Sequence, residues 1–323
     1  MRNNALDAAK LVACFFIIVV HVGNYPELPS NFGELFRVSS RWALPFFFLA
    51  SGYLMGLPAR DDLGKKLNKL VSILFYTSLL YIPILYRMVG GDLERVLGKV
   101  ISNDTLHGGT FFHLWFINAL ILGVILTNYA LKNMKVHAAL AIAVTIIIGC
   151  WFGDLIKSLG YKIYIFYALR TLIAFSLVYI GYFCARKSSL EGISTKLSLS
   201  VLLIGIGLMI LEVYLMNKLF GADMVERQFP LLCVPVCIAL LSLCINAKLK
   251  DNFISKLGMS YSLGVYLIHP FVLYIMLHDV GGIFESNSLV KLFTSFVVSI
   301  IILSFMKRVV PFAYEKLNGI NVR

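Results

Sequence analysis

Ten apolar runs, most of them roughly 16 to 22 residues long and each closed by charge, glycine or proline, follow one another along the 323-residue chain. This pattern constrains the fold most, because a hydrocarbon layer about 30 Å thick is crossed by about 20 helical residues. Inside that layer every backbone N–H and C=O needs an internal partner, which leaves helices and closed barrels. A barrel would alternate apolar and polar residues over segments of about ten; here the runs are continuous. Composition agrees, with 59% of residues hydrophobic and only 14% charged, where soluble domains carry about 25% charged residues. A soluble reading is excluded. The expected fold is all-α, a polytopic helical bundle in a lipid bilayer, with spans near 8–24, 42–58, 67–89, 110–131, 136–153, 164–184, 197–217, 229–247, 258–278 and 289–311. Short loops between ten spans leave no length for a separate globular unit, so residues 1–323 read as one transmembrane domain. The first run leads into His21, Val22, Gly23 and Asn24 with no small-residue cleavage pattern, and is expected to be retained as a span.

The net charge of +12 sorts by side. With ten spans and an inner amino terminus, 18 Lys and Arg and 6 carboxylates fall on the inner side, and 10 of each on the outer. Because Lys/Arg-rich short loops stay inside, both termini are expected in the cytoplasm and the chain is expected as a multi-pass protein of the cytoplasmic (inner) membrane. The basic excess is topology, not a nucleic-acid footprint. All six cysteines (14, 150, 184, 233, 237, 244) lie in or at the ends of spans with no C-x-x-C pair, so neither a disulfide framework nor a metal site is expected.

Ionisable residues inside spans are costly and are the first candidates for chemistry. The first span holds Asp7, Lys10 and His21. At 100° per residue Lys10 and His21 differ by about 20° after three turns, and lie about 16 Å apart along the axis, so one helix face carries titratable groups from the inner mouth toward the outer half. Interfacial anchoring explains Lys10 and Asp7 equally well, and His21 could cap an ordinary helix. Arg41 stands at the mouth of the second span, ahead of Phe46, Phe47, Phe48, Ser51, Gly52 and Tyr53. Its fork of donors suits a carboxylate, phosphate or developing oxyanion, whereas Ser51 and Gly52 also suit close helix packing. Arg170 lies inside the sixth span and needs a partner, for which Glu212 is the alternative to a site role.

Leu6-Asp7 to Lys10 with His21 eleven residues on, then Pro45-Phe46-Phe47-Phe48 and Ser51-Gly52-Tyr53, resemble the membrane acyltransferase 3 family. Later segments agree: His113-Leu114-Trp115-Phe116, Arg170 ahead of Gly181, and Ser260-Tyr261 through Tyr266-Leu267-Ile268-His269-Pro270. In size the chain is similar to the short, single-domain O-acetyltransferases of that family, such as those modifying enterobacterial common antigen. The resemblance implies an integral-membrane O-acyltransferase that moves an acetyl or other short acyl group from acyl-CoA, usually acetyl-CoA, to a hydroxyl of a surface polysaccharide or its polyprenyl-linked precursor. The family's Arg/Lys-x10-His motif falls on Lys10 and His21; its Arg-x-x-Arg pair has no match.

The roles expected on this basis are His21 as general base, Arg41 and Arg170 as oxyanion stabilisers, and Lys10 with Asp7 at the donor mouth, with Arg60, Lys65, Lys66 or Lys69 assisting unless they serve only as inner-loop cations. His113, Trp115, Ser51, Tyr261 and His269 are the candidates for lining the acceptor, against anchoring by Trp and His and a structural hydrogen bond for His269. The alternative is a transporter or flippase for a glycan or lipid-linked substrate, with the same ionisable residues as relays.

Overall fold

The computed structural model describes residues 2–29, 31–57, 62–102 and 109–319, which among them form helices and turns with no strand. In chain order the helices are α1 (Asn4–His21), α2 (Phe32–Ser39), α3 (Ala43–Gly56), α4 (Leu63–Met88), α5 (Leu93–Val100), α6 (Trp115–Asn133, entered by a 3-10 turn at Phe112–Leu114) and α7 (Val136–Ser158). They continue as α8 (Ile165–Arg186), α9 (Thr195–Phe220), α10 (Cys233–Asn246), α11 (Phe253–Ile275, extended by a π-helical turn to Val280), α12 (Ile283–Ser286), α13 (Ser288–Val309) and α14 (Pro311–Leu317). Eight of these segments are long and apolar enough to cross a bilayer, so the protein is a polytopic helical membrane protein.

The other two predicted spans, 42–58 and 229–247, are apolar helices of 14 residues, α3 and α10. Such helices fall short of the roughly 20 residues needed to cross on their own. Their N-termini lie together, where the Cys233 and Cys237 thiols face the carbonyls of Arg41 and Trp42 at 3.5 and 3.2 Å. At this end non-helical backbone replaces the missing turns, at residues 40–42 before α3 and 222–232 before α10. Irregular backbone at membrane depth is tolerated where protein buries it or where it lines a cavity.

Two glycines bring α3 and α8 into backbone contact. A Cβ built on Gly52 of α3 would stand 2.0 Å from the Val178 carbonyl oxygen, and one on Gly181 of α8 2.1 Å from that of Leu49. Only hydrogen at these two positions lets the α3 and α8 backbones touch. The seam of α1 and α11 is built likewise, with Gly258 against the Asp7 carbonyl and Cys14 Sγ donating to the Ser262 carbonyl at 2.8 Å.

Helix starts are capped by side chains. Asn3 accepts from the Leu6 N–H at 2.8 Å, and Asn252 and Ser255 cap α11 reciprocally. Arg2 donates to the Ser255 carbonyl, and Tyr314 of α14 to the Ser260 carbonyl, so the two described ends of the chain share one end of the bundle.

Candidate active site

The stripe on α1 is real, but it faces protein over most of its length. Asp7, Cys14 and His21 successively meet Gly258, Ser262 and His269, so α11 runs parallel to α1 and fills the face. At the end where the chain termini lie, Asp7 holds both Lys10 (2.8 Å) and Arg2 (3.0 Å). Between Lys10 and His21 the side chains of Ala13, Cys14, Ile17 and Ile18 are at most 3% exposed.

At its far end α1 stops at His21, whose imidazole opens into a cavity of about 350 Å³ at the end of the bundle away from the described chain ends. Arg41, Ser40, Trp115, Arg170 and Gln228 share this cavity with His21. Arg41 Nη2 donates to the Val225 carbonyl at 2.8 Å. The Arg170 guanidinium lies 4.4 Å above the Trp115 ring and donates to Gln228 Oε1 at 3.3 Å. Both Nε atoms are buried without a partner.

Two further imidazoles stand behind His21. His269 is wholly buried with its ring centroid 5.4 Å from that of His21, and His113, 1% exposed, is 6.0 Å beyond. Pro270 explains the placement of His113. It has no N–H to give the carbonyl four residues back, and the disturbance extends one residue further, where the Phe271 N–H meets Tyr81 Oη at 3.2 Å. The Leu267 carbonyl then accepts Tyr81 Oη–H at 2.8 Å and faces His113 Nε2 at 3.2 Å. His269 Nδ1 faces the Val265 carbonyl at 3.1 Å, which makes it the protonated nitrogen and leaves Nε2 a bare acceptor. Both His269 Nε2 and His113 Nδ1 are buried with no partner.

The geometry thus gathers His21, Arg41, Arg170, Trp115, His269 and His113 at one end of the bundle. It places Lys10 and Asp7 at the other, and leaves two candidates elsewhere. Ser51 lies on α3 one residue from the Gly52 contact, more than two turns below Arg41. Tyr261 sits among α13 and α14 residues, beside Tyr314 and under Lys307; eight residues of helix put it about 12 Å from His269. Among the assisting lysines Lys65 pairs with Asp62 at 3.1 Å; Arg60 lies outside the described residues.

The alternative pairing of Arg170 with Glu212 does not form. Glu212 instead holds Arg227 at 2.6 Å and accepts from Trp151 Nε1 and the Leu231 N–H. Arg227 and Asp154, which sequence reading sends to an outer loop, are fully buried side chains 3.1 Å apart. Asp154 also accepts the backbone N–H groups of Gln228 and Phe229, at 3.0 and 2.8 Å. This buried trio clamps the 222–232 segment, which supplies Val225 and Gln228 to the two arginines. Its one legible signal is the polar triplet Glu226-Arg227-Gln228 directly ahead of an apolar run.

A neutral imidazole beside two cationic forks can accept a proton from a hydroxyl and hold the charge that develops on a carbonyl oxygen. Comparison with known proteins bears on this chemistry. The chain is 25% identical over 302 residues to an amino-acid racemase of Enterococcus faecalis, covering 85% of this chain and 42% of that protein. It is 25% identical over 301 residues to a serine/alanine racemase of Enterococcus gallinarum, covering 84% and 41%. The chain therefore spans less than half the length of these curated relatives. No solved structure matches. The profile of the acyltransferase domain family, acyltransferase 3, matches residues 3–308, nearly the whole chain, and on that match the protein belongs to the acyltransferase 3 family of membrane acyltransferases.

Proposed function

We propose that this acyltransferase is a single transmembrane domain of the cytoplasmic membrane that transfers an acetyl or other short acyl group from acyl-CoA to a hydroxyl of a surface polysaccharide or its polyprenyl-linked precursor. The observation that carries the reading is His21 facing a cavity with Arg41 and Arg170 at the outer end of a chain whose family transfers acyl groups.

In the reaction, His21 takes the hydroxyl proton as the acceptor oxygen attacks the thioester carbonyl. The new C–O bond leaves a tetrahedral oxyanion beside a guanidinium, and the two arginines reach the cavity from separate elements, so each can serve. Collapse breaks the C–S bond, and the departing thiolate takes the proton from His21 as CoA thiol. Lys10, held by Asp7, would meet the donor phosphates at the opposite end, where lysine serves as a point-charge partner. Trp115 offers its face to a sugar ring, and His113 and His269 back His21.

The test is CoA release from acetyl-CoA by proteoliposomes given a surface-glycan extract, with mass spectrometry of the glycan. Thiol release with a gain of one acetyl group per acceptor supports the reading, and loss of both in His21→Ala locates it. A second reading rests on the relatives named as an amino-acid racemase and a serine/alanine racemase: a domain that carries a small amino acid across the membrane. Uptake of labelled serine without acyl-CoA, unaffected by His21→Ala, would favour that reading over transfer.

A further inference from the structure

We infer that the outer cavity takes an acceptor through an anionic group, a carboxylate or a phosphate, seated between Arg41 and Arg170 with its hydroxyl toward His21. The fate of that hydroxyl rests on the transferase reading; the anion site does not.

The argument begins with charge. Among the described lining residues there are two guanidinium groups and no carboxylate. The nearby acids are committed elsewhere: Asp154 and Glu212 to Arg227, and Glu226 to Lys157. Arg41 and Arg170 hydrogen-bond only to neutral oxygens, the Val225 carbonyl and the Gln228 amide, Arg170 lying also over the Trp115 and Tyr167 rings, and each keeps a buried Nε with no partner. Arg37, the next cation, is bonded to the Gly23 carbonyl and to Asn24. Buried charges are otherwise paired or shift their titration. A ligand anion relieves that cost.

The developing oxyanion does not account for the pair, because it exists only in the transition state and the two charges are present throughout. The donor does not supply the anion either. Its phosphates lie a pantetheine arm away from the thioester, so they cannot share a cavity of about 350 Å³ with a thioester held at His21. The acceptor is left as the source. Arginine forks bind carboxylate and phosphate in a bidentate manner, and Trp115 beneath Arg170 fixes the plane of one fork.

The experiment is calorimetric titration of the purified full chain, without donor and at constant ionic strength, with methyl glucuronide, glucose 1-phosphate and methyl glucoside. The expected result is that at least one anion binds ten times or more tightly than the neutral glucoside, and the comparison of the two anions separates carboxylate from phosphate. Arg41→Gln and Arg170→Gln should each weaken the anion about 10- to 100-fold, while Arg95→Gln on exposed α5 leaves it unchanged. Where a glutamine variant fails to fold, the lysine variant should fold and bind about tenfold more weakly, having lost the fork. Equal binding of glucoside and anions, no binding of either anion, or arginine variants that bind like wild type overturns the inference. Acylation of the neutral glucoside with no anion preference would sink it and spare the transferase reading; tight anion binding with no acylation under acetyl-CoA would do the reverse.

Discussion

Replacing Arg227 by Met tests whether the buried trio positions the cavity wall or merely fills space. The Arg227 and Asp154 side chains are both 0% exposed and 3.1 Å apart, and Glu212, at 14%, holds the other guanidinium nitrogen. Removing one member of a buried pair costs about 3–5 kcal/mol, since the remaining charge stays buried. Asp154 would keep two backbone donors, from Gln228 and Phe229. Hydrogen bonds to a charged group are worth about 1.5–3 kcal/mol each, so the low end of the range, about 3 kcal/mol, applies. Glu212 keeps Trp151 and Leu231 and adds little. Thermal unfolding in detergent should show the loss, and CoA release should fall because Val225 and Gln228 no longer hold Arg41 and Arg170. The double variant Asp154→Leu with Arg227→Met separates the two effects. It removes the orphaned charge and should regain part of the stability, yet it strips the acceptor from the Gln228 and Phe229 N–H groups and should keep the transfer defect. Wild-type unfolding and wild-type transfer in Arg227→Met would refute the clamp.

His21→Ala should abolish CoA release while unfolding within about 1 kcal/mol of wild type, as its ring ends a helix at a cavity; normal turnover, or loss of folded protein, contradicts that assignment. Gly181→Ala should destabilise by about 1–3 kcal/mol, because its methyl would stand 2.1 Å from the Leu49 carbonyl oxygen; an unchanged unfolding profile in detergent would show that α3 and α8 yield. Lys10→Ala should raise KM for acyl-CoA more than for the acceptor; equal changes in both would count against a donor mouth at Asp7. Tyr81→Phe removes the hydroxyl that joins Leu267 and Phe271 across the Pro270 break and should cost about 1–3 kcal/mol, read by thermal unfolding, with wild-type stability as the contrary result.

The spans were legible because burial in lipid writes itself as continuous apolar runs, and all ten predicted runs coincide with helices. The lengths of α3 and α10 were not, since hydropathy does not distinguish a helix from the apolar irregular backbone at residues 229–232 that precedes it. Helical periodicity placed Lys10 and His21 on one face, which the structure keeps. What covers that face is tertiary: Gly258, Ser262 and His269 recur along α11 nearly in step with the α1 stripe, and a pairing of two such stripes cannot be read from either alone. Arg227 looked like a solvated loop charge because its sequence neighbours are polar, and Asp154 because it stands just past the end of an apolar run; only the fold brings them 3.1 Å apart. The place of His113 behind His269 and His21 depends on the Leu267 carbonyl freed at the Pro270 break, an effect with a sequence marker but no sequence-level geometry.

That covered face bears on how a donor could reach His21. The two candidate ends of the reaction lie about 16 Å apart on α1, yet the intervening side chains are sealed against α11 by the Cys14–Ser262 contact. The cavity touches α1 at Ile17, Val20 and His21 and descends no further. A pantetheine arm entering at Lys10 therefore cannot follow the stripe while α1 and α11 stay in contact. It must part that seam or descend beside it. The α3–α8 packing is a poor gate, because Gly52 and Gly181 each set a backbone against a carbonyl with no room for a Cβ between them. The α1–α11 seam has one such contact, at Gly258 next to the donor mouth, and above it depends on a thiol and paired imidazoles. A donor route from the Lys10 end along this face would have to part the seam above Gly258, which breaks the Cys14–Ser262 hydrogen bond and unpacks the buried Ile17 and Ile18 side chains before it reaches the imidazoles that the reaction would use.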